Sequence, residues 1–245
     1  AAQAETDDAL AVWLPGERVL YGGPATILST PNVGTPLRTQ RDALAWADTL
    51  DAYTELEPEV LVREFGPEVH GRDAVREVLT TTAEALRWLR RETVERLNRG
   101  LDVEEILADL DYPVEWSDLP WMAPTYGHPD FIVRDVYRSE TGWWDRNVTT
   151  LHPAPPADAA EAIVDAIAEP GHVITTARTL RDRGDAQLAL HVLDLLALSA
   201  RDDDHVRAAR ALKVELAEEL ADRAESFISA NLYRTMARYP HDRAD

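Results

Sequence analysis

The chain has 245 residues and a formal net charge of −20, from 45 acidic and 25 basic side chains. A charge of this sign repels phosphate backbones and anionic lipid, so we expect no nucleic acid partner. The absence of cysteine excludes a thiol nucleophile, cysteine-ligated zinc and disulfides. No apolar run reaches the roughly 20 residues of a membrane-spanning helix. We therefore expect no membrane span and a cytoplasmic location, with a periplasmic or secreted one left open.

The first part of the chain mixes strand and helix signals. Residues 9–21 hold two short apolar runs around a Pro-Gly pair, which predicts a hairpin of two strands. A loop rich in proline, glycine and threonine comes next, over 24–37, then a helical period over 39–56 and a short strand over 59–62. The order strand, strand, helix, strand fits the second half of an αββα sandwich.

The later signals are helical. A long helix is predicted over 72–99 with Gly100 as its C-terminal cap, and a short helix over 103–110. An irregular connection with four prolines spans 111–129, and helix returns over 130–144. These segments are expected to connect the α/β region to the C-terminal region.

A proline-rich run, residues 151–156, predicts a stiff boundary, because proline fixes φ and disfavours helix in the preceding residue. Beyond it the pattern predicts helical hairpins only. The predicted regions are therefore an α/β half-sandwich at 1–100, connecting helices and linker at 101–156, and an all-helical domain at 157–245. The helices expected in the last region span 157–169, 172–183, 186–200, 205–219 and 222–238.

One segment carries a family resemblance. Residues 121–156 read WMAPTYGHPDFIVRDVYRSETGWWDRNVTTLHPAPP and resemble the start of the dimerisation region of alkyl sulfatase-type hydrolases of the metallo-β-lactamase superfamily. The upstream residues resemble the second half of that family's catalytic domain, and the helices around 183–233 resemble the end of its dimerisation domain. The resemblance implies the C-terminal half of a metallo-β-lactamase sandwich followed by a helical dimerisation domain. It also implies a processed, split or truncated chain, because the family's His-x-His-x-Asp-His motif would lie before Ala1.

The resemblance implies a degenerate metal site. Glu5 falls on a zinc-ligand position, and a carboxylate oxygen suits zinc, although Glu5 is also one of several acids near the N-terminus. Gly23 stands where the family has a bridging acid, and Phe65 stands where it has a histidine, so neither is a ligand. Glu64 and His70 are neighbouring alternatives that more often lie on a surface. The expected cofactor is one zinc ion shared with a partner chain, or no metal at all.

Two further groups of site residues are implied by the same resemblance. Asn32, Arg38 and Arg41 belong to a loop that resembles one over the family's active site, where a guanidinium can bind a sulfate through two hydrogen bonds. The plainer interpretation is a turn followed by a basic helix start. Tyr126 and His128 are weak candidates for catalytic residues, with a structural role as the alternative.

These predictions lead to one main hypothesis and two alternatives. The chain is expected to be a subunit of a metal-dependent alkyl sulfatase-like hydrolase. An obligate partner chain would carry the histidine-rich motif and cover the apolar face of the half-sandwich, and a dimer of such pairs would form. The alternatives are a non-catalytic structural partner of an active paralogue, and a lyase or isomerase derived from the same fold.

Overall fold

Two compact units divide the chain between Asp145 and Arg146. The computed structural model describes residues 3–237 of the sequence. The division falls inside the segment predicted to connect the two regions, and the helices that begin that segment belong to the first unit. Within residues 3–237, every helix is too short or too polar to cross a lipid bilayer.

The first unit opens with a four-stranded sheet and two long helices. The elements are β1 Val12–Leu14, β2 Val19–Gly23, α1 Ala43–Glu55, β3 Val60–Arg63, β4 Val69–His70 and α2 Arg72–Asn98. The strands lie in the order β1-β2-β3-β4; β2 and β3 are parallel, and both outer pairs are antiparallel. The predicted hairpin is β1 and β2, and helix α1 connects the parallel strands β2 and β3.

Helix α1 begins four residues later than the periodicity predicted. Asp42 caps it, since its carboxylate accepts hydrogen bonds from the backbone N–H groups of Leu44 and Ala45 at 2.8 and 3.2 Å. Helix α2 ends as predicted: Gly100 has φ +92°, and Leu101 N donates to Arg96 O at 3.2 Å. The two-residue strand β4 was not predicted, because so short a segment has no period of its own.

One face of the sheet is covered by these two helices. Leu20 and Leu61 point from adjacent strands into the core, where both are at most 1% exposed. Trp46 of α1 is fully buried among them and donates its indole N–H to the carbonyl oxygen of Ala25 at 3.0 Å. The same core takes in apolar residues of α2, including Leu79 and Leu86.

The opposite face of the sheet stays open. Val12, Leu14 and Tyr21 are 54%, 38% and 46% exposed. They alternate with the buried residues along their strands, and Tyr21 is paired with Val12 on one side and Val62 on the other. This face, which we call the open sheet face, has apolar side chains at six positions: Val12, Leu14, Val19, Tyr21, Val60 and Val62.

Three more helices complete the first unit: α3 Val103–Asp109, α4 Val114–Ser117 and α5 Pro129–Thr141. Asp102 and Glu105 form a capping box at the start of α3. Helix α5 packs on α2 and ends at Thr141, three residues short of the prediction, because Gly142 turns the chain with φ +82°.

The second unit is helical, as predicted. Each of the last four helices packs on the next, and the helix over residues 156–166 packs on the one over residues 186–197, around a core that includes Leu193, Leu196 and Leu216. Ser226 caps the last helix, which therefore starts at Phe227 rather than Asp222, and the predicted end at Arg238 lies outside the described residues. The helices are α6 Val148–Leu151, α7 Pro156–Ala166, α8 Pro170–Asp182, α9 Ala186–Ala197, α10 Asp204–Arg223 and α11 Phe227–Met236.

Substitution of Gly34 tests how tightly the loop after β2 packs on α5. It has φ +73°, and a Cβ there would overlap the carbonyl oxygen of Phe131, whereas a Cβ at Gly100, also at positive φ, would meet open space. We expect Gly100→Ala to cost about 1–2 kcal/mol from backbone strain alone. Gly34→Ala should cost about 1–3 kcal/mol more from overpacking. Urea unfolding of both variants measures the difference, and equal losses would contradict the close packing.

Candidate functional site

The loop between β2 and α1 is held in place by the segment that precedes α5. Thr30 N donates to Ala123 O at 3.2 Å, and the hydroxyl of Ser29 donates to the same carbonyl at 3.1 Å. The Ser29 hydroxyl also accepts from the backbone N–H of Tyr126 at 2.9 Å. Ser29 and Thr30 are buried, so these bonds fix the loop firmly to a segment that lies about 95 residues later in the sequence.

A second close approach involves Gly127. A Cβ at this position would overlap the backbone carbonyls of Thr30 and Pro31. Only glycine lets the two backbones lie this close, so the stretch from Tyr126 to His128 rests directly on the loop that carries Asn32.

Three of the residues named from the resemblance form one cluster. Asn32 is 1% exposed, and its side-chain amide donates to the Glu5 carboxylate at 2.6 Å. Arg41 Nε donates to the backbone carbonyl of Glu5 at 2.9 Å, and its Nη1 donates to the backbone carbonyl of Asn32 and lies 3.8 Å from the Glu5 carboxylate. The hydroxyl of Thr35 donates to the Asn32 side-chain oxygen. We call Glu5, Asn32, Thr35 and Arg41 the Glu5–Arg41 cluster.

Asp135 of α5 is hydrogen-bonded to the segment that carries Arg41. Its Oδ2 accepts from the backbone N–H of Arg41 at 3.3 Å, and its backbone carbonyl accepts from the Gln40 side chain at 3.3 Å. Asp135 is 8% exposed, and burial raises the pKa of its carboxyl above the ordinary value. Asp135 and Arg41 both line a cleft of about 430 Å³ that also includes Arg90 and Glu140.

The remaining named residues lie elsewhere. Arg38 is exposed, and its guanidinium donates only to the neighbouring carbonyl of Leu37 at 3.3 Å among the bonds described. His128 is the N-cap of α5: its Nδ1 accepts from the backbone N–H of Asp130 at 3.2 Å, and its ring lies 5.7 Å from that of Phe131. The geometry therefore gives His128 a capping role.

The described residues do not by themselves fit a metal ion. Within residues 3–237, no three histidine, aspartate or glutamate side chains lie close enough together to hold one. Glu5 is engaged by an amide and a guanidinium. Gly23 has φ +57°, and a Cβ there would overlap the carbonyl oxygen of Leu10, so the backbone leaves no room for a side chain at this position. Phe65 is 63% exposed just after β3, and His70 lies at the surface within 3.4 Å of Glu68.

Sequence reasoning missed two residues that build this region. Asp135 sits in an amphipathic helix where an acid is normally a solvent-facing residue, and no local signal reveals that it is buried. Thr35 lies in the predicted loop, where nothing marks it as a partner of Asn32.

The fold agrees with what comparison with known proteins finds. The stereoselective inverting sec-alkylsulfatase Pisa1 from Pseudomonas sp. has a solved structure that matches 96% of this chain with a TM-score of 0.86 and 28% identity. A linear primary-alkylsulfatase from a Pseudomonas strain is 30% identical over 213 residues, which is 86% of this chain. An (R)-specific secondary-alkylsulfatase from Pseudomonas sp. is 28% identical over 239 residues, or 96% of this chain.

These matches place the chain among alkyl sulfatase-like proteins. The family model described as alkyl sulfatase dimerisation matches residues 102–241, and the chain belongs to that family. The chain spans about two fifths of the length of these relatives: 40% and 36% of the two curated proteins and 38% of the Pisa1 chain.

The Glu5–Arg41 cluster predicts that substitutions of two nearby arginines differ greatly in their effect on the free energy of unfolding. Arg41→Ala should cost about 2–3 kcal/mol, because it leaves buried carbonyls and the Glu5 carboxylate without their donor. Arg38→Ala, in the same loop, is the matched control and should stay within about 0.5 kcal/mol of the wild type. Chemical unfolding measures both values, and hydrogen exchange of the N-terminal residues reports whether Glu5 is released. A loss below about 0.5 kcal/mol for Arg41→Ala would contradict the cluster.

Asp135 predicts a pH dependence of stability. Because the pKa of Asp135 is higher in the folded than in the unfolded protein, folding favours the protonated carboxyl. The stability that this preference contributes is present at low pH and is lost as the pH rises through the folded pKa. Asparagine keeps an acceptor for Arg41 N without the charge. The stability of Asp135→Asn relative to the wild type should therefore be greater near pH 7 than near pH 4. Urea midpoints at both values measure this change.

Asp111→Asn is the control for that experiment, because it removes one exposed carboxylate from the same unit. An equal pH-dependent gain in both variants would contradict a specific effect of burial at Asp135.

Proposed function

We propose that this chain is a self-associating subunit of an alkyl sulfatase-like hydrolase, and that polypeptide outside residues 1–245 completes its sheet and its site. The open sheet face is the observation that carries the proposal. Its six apolar positions occupy three neighbouring strands, and at least three of its side chains are more than a third exposed. A sheet with one face on helices and an apolar second face normally buries that second face against another layer.

The comparisons support further polypeptide as the layer that covers this face. The chain matches Pisa1 along 96% of its own length but accounts for only 38% of the Pisa1 chain, so most of that relative has no counterpart here. We infer that a partner chain supplies the equivalent of the missing part, including the family's histidine-rich motif. This is the arrangement that the resemblance predicts.

The contacts within the Glu5–Arg41 cluster limit how a metal ion could bind. Glu5 is the single ligand candidate that the described residues bring to the cluster, so a zinc ion would take its other ligands from the partner. Arg41 would have to share or release the Glu5 carboxylate, from which its Nη1 is 3.8 Å away. In this chain Asn32 and Arg41 hold and orient that carboxylate.

A second candidate function is that of a non-catalytic structural partner of an active paralogue. Gly23 favours it, because its positive φ and the contact with Leu10 leave no place for a bridging acid. Phe65, which is apolar and exposed where the family has a histidine, favours it as well. In this case the subunit would complete the fold and bring two active chains together.

The test is to purify the tagged chain from its own host and to determine subunit masses, metal content and hydrolysis of a primary and a secondary alkyl sulfate. Tyr21→Asp places a charge at the centre of the open sheet face. Leu37→Asp is the control, since Leu37 is 74% exposed but lies outside the sheet. We expect Tyr21→Asp to lose the second chain and the hydrolysis together, while Leu37→Asp keeps both.

The other outcomes discriminate between the two candidate functions. A second chain without metal or sulfatase activity would support the structural partner. A metal-loaded, active chain without any companion would overturn the proposal, and so would a Tyr21→Asp variant that still binds its companion. Circular dichroism of the helical signal shows that each variant is folded.

A further inference from the structure

We propose that helix α9 forms the centre of the surface through which two copies of this chain associate. This inference rests on the proposed self-association and assigns it to a particular surface. The observation behind it is a stripe of three exposed leucines and one exposed histidine along the outer side of α9 and its C-cap. We call Leu188, His191, Leu195 and Leu198 the α9 stripe.

The α9 stripe has the spacing of a helix-packing seam. Its members succeed one another at intervals of three, four and three residues, which keeps them within an arc of about 80° on a helix that turns about 100° per residue. Leu188, Leu195 and Leu198 are 54%, 41% and 47% exposed. Intervals of three and four are those by which one helix packs its side chains into another.

Helix α9 is apolar on its inner side as well. Ala189, Leu193 and Leu196 are fully buried in the core of the second unit, where α9 packs on α8 and α10. A helix at the surface of a monomer normally has a polar outer side. Helix α10 fits that rule, since its buried residues alternate with Arg, Lys and Glu. Helix α9 departs from it, as expected of a helix that is covered on both sides in an assembly.

Charge also favours the α9 stripe as the place where two copies meet. With a net charge of −20 on each chain, most of the surface repels a second copy. The α9 stripe contains no carboxylate. The acid nearest to it on the helix, Asp194, is paired with Lys213 at 2.5 Å, and Lys213 is the only lysine in the sequence. Two copies would therefore approach there with little like-charge repulsion.

The surroundings of the stripe can enlarge the contact. At the start of α9, Gln187 receives a hydrogen bond from the Tyr233 hydroxyl of α11 at 3.4 Å. Just beyond its end, Ser199 is bonded to Glu161 of α7. Helices α7 and α11 are therefore each hydrogen-bonded to a residue next to the stripe, and they can contribute to the roughly 800 Å² per partner that a stable interface buries. All of these residues lie within the 102–241 range of the alkyl sulfatase dimerisation model.

The composition of the stripe also fixes the direction of packing. In a two-fold symmetric contact the same surface meets itself. Antiparallel α9 helices place Leu188 opposite Leu198 of the second copy and His191 opposite Leu195. Parallel helices would instead put two His191 side chains against each other in an apolar seam, which costs hydration without a partner. We therefore assign the antiparallel arrangement.

Cysteine cross-linking tests the arrangement directly, because the chain contains no cysteine. Two single variants, Leu188→Cys and Leu198→Cys, are made with tags of different mass, mixed, and oxidised. We expect a disulfide between the two different variants and little between identical ones. Disulfides between identical chains only would overturn the antiparallel assignment, and no disulfide at all would overturn the surface.

A charge substitution separates this inference from the proposed self-association. Leu195→Glu should weaken the dimer at least tenfold by analytical ultracentrifugation of the 245-residue chain. Val148→Glu, at an 82% exposed apolar position of the same unit, is the control and should leave the dimer unchanged. A dimer that survives Leu195→Glu would overturn the α9 surface while leaving self-association intact. A wild-type chain that is monomeric at all concentrations would overturn self-association itself.

Discussion

The first unit depends on the way Arg41 ties together segments that are far apart in the sequence. Its guanidinium binds the backbone of Glu5 and of Asn32, and its backbone N–H is held by Asp135. An arginine can do this because its donors are fixed in a plane and stay charged at any pH the protein meets. The Arg41 side chain is only 9% exposed, so water and ions compete little for its guanidinium.

Helix and strand positions could be predicted from the sequence because they rest on local patterns. The Pro-Gly turn, the long period of α2 and the run of helical hairpins are each visible within a window of about twenty residues. The starts of α1 and α11 were misplaced by several residues because capping by Asp42 and Ser226 decides them. Strand β4 has no local signal, since its pairing with β3 creates it.

The site could be predicted only as far as the family resemblance reached. It pointed to Glu5, Asn32, Arg38 and Arg41, of which the structure brings Glu5, Asn32 and Arg41 together and leaves Arg38 exposed. It could not reveal Asp135, whose bond to Arg41 spans 94 residues and depends on how α5 packs. It also could not reveal why Gly23 lacks the expected acid, which lies in a backbone angle and in the approach of Leu10.

The two incomplete surfaces have different symmetry requirements. The open sheet face belongs to the first unit, and its proposed cover is a different polypeptide layer, so that contact would join unlike surfaces. The α9 stripe belongs to the second unit and, in the proposed dimer, meets the same stripe of a second copy; a contact of that kind closes after two copies. Because the surfaces lie on separate units, one can form without using the residues of the other. In the proposed arrangement the two contacts together would give a closed assembly of two such pairs rather than an open chain of subunits.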